Sequence, residues 1–308
     1  MASAFEVLTS DLGNSSCYSL ISVFIPTTYL SAAFSLTAVG AWGTSDFLGG
    51  LGARRANAFL FTSIVHASGM LLTAAVALAI GSPLPGSDSI RWALTAGALG
   101  GFALALFYRA LASGQMGLIA PVAAVLSAGV PTIVTAFAEG FPGTRRAIGF
   151  VLAGIGVWLI SRIEQQTPGE LGNRPKGLGL AVLAGCGFAG FYLCIHQAGN
   201  GSALWLAVYS RLASFLVTVA IVVAGKLLRP VSRPIIGIAF AAGILDITGS
   251  VVFVRASQIG RLDAAVVLSS LYPAITVLLA RIFLHEHFSR SRTIGMLAAL
   301  AAVPMIAG

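Results

Sequence analysis

"FYRALASGQMGLIAPVAAVLSAGVPTIVTAFAEGFPGTRRAIG", residues 107–149, and "FVRASQIGRLDAAVVLSSLYPAITVLLARIFLHEHFSRSRTIG", residues 253–295, decide how this chain is read. Arg109 stands opposite Arg255 and Gly149 opposite Gly295, each pair 146 positions apart. Between them "VLSAGVP" at 125–131 faces "VLSSLYP" at 267–273, which pairs Pro131 with Pro273 at an offset of 142. An insertion before the proline and a matching deletion after it account for both offsets. Upstream, "HAS" at 66–68 lies against "LAS" at 212–214, again 146 apart. Ordered matches at a nearly constant offset indicate an internal duplication.

The solvent of the repeated unit follows from composition. The chain of 308 residues is 57% hydrophobic and 9% charged, with a mean hydropathy of +0.93. Soluble domains carry about 25% charged residues, so there are too few charges here to cover a water-facing surface. The net charge of +8 is spread singly between apolar runs. That pattern fits helix ends at lipid headgroups rather than a nucleic-acid-binding patch. The apolar runs lack the alternation of outer-membrane strands. A multi-pass protein of the cell (plasma or inner) membrane is expected. Cys17, Cys186 and Cys194 have no zinc-site spacing, and no cofactor or metal is expected.

A spanning helix needs about 20 mostly apolar residues. Ten such helices are predicted, near 31–51, 58–80, 91–112, 117–138, 147–162, 178–196, 203–225, 234–257, 263–284 and 292–307. The fold class is all-α. Residues 1–30 form a tail and an extension of the first helix, with no positive n-region to mark a signal peptide. Residues 31–162 and 178–308 are two five-helix repeats joined by a polar linker at 163–177. An odd number of spans per repeat makes the second half enter the membrane from the opposite side. Inverted repeats of this kind surround midplane sites in many secondary transporters. Twelve Lys and Arg lie in links after odd-numbered helices against five after even-numbered ones. The positive-inside rule then puts the odd links in the cytoplasm.

Ionisable residues inside spans mark candidate sites, because an intramembrane charge costs about 2.5–3.5 kcal/mol even on insertion scales. Asp246 sits in the centre of "AAGILDITGSVVF" at 241–253, with Gly243 and Ser250 on the same helix face. Arg211, in the preceding span, is its expected partner, at comparable depth; snorkelling to the interface is its alternative. Asp46 lies late in the first span, where it lines the cavity or pairs with Arg54 or Arg55. His66 in the second span is a proton-relay candidate or a hydrogen-bonded bundle histidine. Trp42 and Tyr272 lead the aromatic candidates for lining a path, with Phe188, Tyr108, Tyr192 and Tyr209 behind them. Pro131 and Pro273, at matching repeat positions, are expected to bend the fourth and ninth helices as gates or as static kinks. "HEH" at 285–287 places its histidines on different helix faces, so no metal is assigned to it.

The five-plus-five repeat, "AWGTSDFLGG" at 41–50 and "LSSLYPAITVLLARIFLHEHFSRSRTIG" at 268–295 resemble the EamA family of the drug/metabolite transporter superfamily, over about residues 33–308. Pro273 and the "HE" at 285–286 stand where that family has Pro and Gly-Glu. The first half departs, with "AEGFPG" at 138–143 in place of the family's Gly-Glu box, which weakens any role for Glu139. The resemblance implies export of an amino acid, metabolite or drug-like solute and leaves the substrate open. No Walker A pattern is present, which points to secondary transport by alternating access, with proton coupling as a further expectation. The expected partners are a small-molecule substrate, membrane lipid and protons; the chain acts as a monomer or homodimer. A lipid-linked carrier flippase is the runner-up within transport. An intramembrane enzyme built on Asp46, Asp246 and His66 is the alternative class, but the sequence lacks HExxH and GxSxG motifs, and no enzymatic activity is expected.

Overall fold

The computed structural model describes residues 27–113, 116–138, 140–161, 177–284 and 290–307. These form α1 (Thr27–Ala53), α2 (Ala58–Ala79), α3 (Ser87–Ser113), α4 (Met116–Ala138), α5 (Thr144–Ser161), α6 (Leu178–Gln197), α7 (Ala203–Ala224), α8 (Arg233–Ile259), α9 (Leu262–Ser269), α10 (Tyr272–Leu284) and α11 (Arg290–Ala307). No strand occurs among the described residues. Six helical segments are long and apolar enough to cross a membrane: α2, α3, α6, α7, α8 and the stretch 262–284 formed by α9 and α10. The 122–138 part of α4 is a shorter apolar run. Residues 1–26, Glu139, most of the polar linker and the "HEH" of 285–287 lie outside the described residues.

The helices start and stop where side chains can take over backbone bonding. After the turn at Arg54 and Arg55, the Asn57 side-chain Oδ1 accepts from Phe59 N at 3.0 Å and Leu60 N at 3.3 Å. Ser202 plays this part for α7, accepting from Trp205 N at 3.4 Å. Pro234 occupies the first turn of α8, where its missing N–H leaves nothing unpaired. The α4–α5 and α8–α9 links are tied by Arg261, which donates to the Gly140 carbonyl at 3.0 Å and holds the buried Asp263 at 3.0 Å.

Packing is set by small residues. The main helix contacts are α1 with α8, α3 with α6 and α7, α2 with α7 and α8, α4 with α6, α1 with α9 and α10, and α5 with α11. A Cβ on Gly97 would collide with the backbone of Ser210, and one on Gly243 would meet the Val65 carbonyl at 2.5 Å. Close backbone approach of this kind drives helix association in lipid, where apolar burial gives little net gain. Ser214 Oγ uses the proximity to donate to the Gly97 carbonyl at 2.7 Å. Large apolar side chains such as Leu71, Leu78, Phe137, Val151, Leu183 and Leu216 point outward, as a lipid-facing surface requires.

The two prolines do not act alike. α4 is continuous through Pro131, whereas the segment that holds Pro273 is interrupted at Ser270–Leu271, and Pro273 lies in the first turn of α10. A proline in a first turn sacrifices no hydrogen bond. The break therefore belongs to the second half.

Candidate functional site: an acid-rich aromatic cavity between the halves

α1, α3, α6, α7, α8 and α10 enclose a cavity with about 470 Å³ of empty space, mouth included. Trp42 and Asp46 come from α1, Arg211 from α7, Asp246 and Ser250 from α8, and Tyr272 from α10. α6 adds Phe188, Phe191 and Tyr192, and α3 adds Gly100 and Leu104. Five of the six candidate binding residues named from the sequence thus meet in one space.

Arg211 and Asp246 form its ionic centre. Arg211 Nη2 lies 2.9 Å from Asp246 Oδ2, with side chains only 5% and 8% exposed. The same Nη2 donates to Ser250 Oγ, and Ser250 Oγ donates to the Asp246 carbonyl at 2.9 Å. Asp246 Oδ2 makes no well-aligned hydrogen bond despite the short ionic distance, and Arg211 Nε has no acceptor among the described residues. The contact is best read as a charge pair whose directional bonding goes to Ser250.

Trp42 is fixed from both sides. Its Nε1 donates to the Asp246 carbonyl at 3.1 Å, and its ring fills the space left by Gly249, where a Cβ would come within 2.6 Å of Cδ1. Trp42, Tyr192 and Phe253 then make a continuous ring cluster, with centroids 4.8–6.1 Å apart. Tyr272 stacks edge-on against Phe107 at 6.4 Å, and its hydroxyl has no partner among the described residues.

Asp46 is buried in the cavity wall, while Arg54 and Arg55 stay exposed beyond it. Its neighbour Ser45 belongs to the helix packing, donating to the Ala242 carbonyl at 2.9 Å and sharing a 3.2 Å bond with Tyr108 Oη. His66 is fully buried in α2 and does not line the cavity. It lies near the Gly101 backbone, yet neither ring nitrogen completes a well-aligned hydrogen bond among the described residues. Tyr108 packs on Phe61, with centroids 6.0 Å apart, and Tyr209 on Trp205, 6.1 Å apart. Neither lines the cavity.

Sequence reasoning missed the regularity of the lining. Trp42 and Phe188, Asp46 and Tyr192, Gly100 and Asp246, and Leu104 and Ser250 are each 146 positions apart. Contacts between helices carry the same offset: Ser214 Oγ on the Gly97 carbonyl in α7 and α3, and Ser68 Oγ against Gly243 in α2 and α8. The offset was readable, but the paired side chains differ in chemistry and leave no identity to notice.

Residues 175–308 match the EamA-like transporter family. The match falls on the second half, where the motifs that resemble the family lie. Six of the described helical segments have the length and apolarity that a multi-pass membrane protein requires. A solved structure described only as "Crystal structure of protein" superposes with a TM-score of 0.66 at 18% identity, covering 89% of this chain and 95% of its own. That likeness speaks to fold alone. No curated protein matches the chain.

Proposed function

We propose that the chain is a secondary transporter of ten spans in two inverted five-helix repeats, exporting a small organic solute from the cell by alternating access around the central cavity. In this reading α9 and α10 are one broken ninth span. The observation that carries it is the cavity lining, in which equivalent positions of the two halves face one space at a constant offset of 146. The packing supports it as well. Exchanging each span for its counterpart turns the α1–α8 contact into α6–α3, α3–α7 into α8–α2, and α4–α6 into the contact of α9 and α10 with α1. The α2–α7 and α5–α11 contacts map onto themselves. A site on such an axis can open to either side by exchanging the conformations of the halves.

Asp46 and Asp246 are the residues through which a proton gradient would act, with Arg211 as the fixed cation and His66 as a buried group behind them. The test is solute flux in proteoliposomes with and without an imposed pH gradient. Asp246→Asn keeps the shape and removes the titration, so it is expected to insert normally and lose gradient-driven net flux. Wild-type protein that binds solute but never carries it would overturn transport. An Asn variant that follows the gradient normally would restrict coupling to Asp46.

A further inference from the structure

The cavity holds three ionisable residues, and with all of them ionised their charges do not cancel. Arg211 is committed to Asp246 at 2.9 Å and to Ser250. Asp46 lines the same space with no hydrogen bond or ion pair to any described residue. An anionic solute would have to break the Arg211–Asp246 pair and then sit beside two carboxylates. A solute cation would instead supply the missing counter-charge at Asp46, in a site where an unpaired charge is most expensive.

The rest of the wall points to the same ligand. Trp42, Phe188, Phe191, Tyr192 and Tyr272 line the same space as the acid, and aromatic faces attract ammonium groups most strongly when both are desolvated. Gly100 keeps the α3 wall low, since even a Cβ there would come within 3.0 Å of Phe191. The ring-lined wall offers an apolar surface to a body beside the charged head. Tyr272, whose hydroxyl is buried and has no partner among the described residues, lines the same space.

We infer that the cavity selects a monovalent organic cation, an ammonium group on an aromatic-sized apolar body, with Asp46 as its counter-ion and the aromatic wall as its cage. This rests on the transport reading only for how the cation is moved, not for how it is bound.

The test is calorimetric binding to the purified full chain in non-ionic detergent, with three probes that share a benzyl or phenyl body: benzyltrimethylammonium, benzyl alcohol and benzoate. The cation is expected to bind at least about tenfold more tightly than the alcohol, on cation–π and ion-pair grounds, and benzoate more weakly still. Asp46→Asn should erase the preference for the cation over the alcohol. Benzoate or benzyl alcohol binding as tightly as the cation to wild-type protein overturns the inference, as does folded protein that fails to bind the cation at millimolar concentration. The wild-type comparison decides even where the variant fails to fold. Cation binding without flux in proteoliposomes would sink transport and leave this selectivity standing; carried benzoate with no cation binding would do the reverse.

Discussion

Breaking the central ion pair from its two ends should have unequal effects. At 2.9 Å, opposite unit charges attract by about 6 kcal/mol at an effective dielectric of 20, and desolvation takes much of that back. Removing one partner of a buried pair typically destabilises by about 3–5 kcal/mol, because the other charge is left alone. Arg211→Met leaves Asp46 and Asp246 together in one cavity with no cation, so it should show the full loss. Asp246→Asn leaves the guanidinium with Ser250 as acceptor and Asp46 as a remaining carboxylate in the same space. Its loss should be smaller, about 1–3 kcal/mol. The double variant Arg211→Met with Asp246→Asn should recover toward wild type, since no charge remains stranded at that pair. Reversible unfolding by denaturing detergent, followed by far-UV circular dichroism on all four proteins, gives the cycle. Equal losses for the two single variants would refute the idea that Asp46 shares the cavity electrostatically. A double variant as poor as the sum of the singles would refute the charge pair itself.

Gly97→Ala and Gly243→Ala should each destabilise by about 1–3 kcal/mol, since the added methyl meets Ser210 or Val65 backbone; Gly237→Ala, with open space around it, should be neutral or gain up to about 1 kcal/mol by helix propensity, and thermal melts in detergent would rank the three. His66→Leu copies the residue found at the equivalent repeat position, Leu212, and removes two buried nitrogens without good partners. It should raise stability by about 1 kcal/mol or more and keep flux; loss of gradient-driven flux in a stable variant would return His66 to the proton path. Trp42→Phe keeps most of the ring but loses the Nε1 bond to a carbonyl that also accepts from Ser250, so stability should fall by only about 0.5–1.5 kcal/mol. A loss well above that, in the same melts, would mean that Trp42 pins α1 to α8 chiefly through that bond.

The helices were legible because lipid imposes a one-dimensional rule: long apolar runs between charged or glycine-containing links. Asp246 and Arg211 were legible for the same reason, as charges where charges are costly. The interruption at Ser270–Leu271 was not, since "SSLYPA" reads equally well as a bend in one continuous helix. Nor was the depth of His66. Its neighbours in sequence are ordinary apolar and small residues, and only the packing of α2 against α7 and α8 decides whether it faces the cavity. The lining pairs lay in plain view at a constant offset. Gly100 and Leu104 carry no chemistry of their own to draw notice to the positions opposite Asp246 and Ser250.

In the proposed repeat, equivalent places carry different side chains: in the cavity, glycine against Asp246 and leucine against Ser250, and behind it Val65 against Arg211. Were the halves identical, swapping their conformations would leave the energy unchanged, and the inward- and outward-facing forms would be equally populated at rest. Placing the ion pair wholly in the second half lifts that degeneracy. The resting population, and with it the side from which a solute is first captured, becomes a property of three side chains. Moving the pair to positions 65 and 100 by reciprocal substitution would be the most direct way to turn the vessel around.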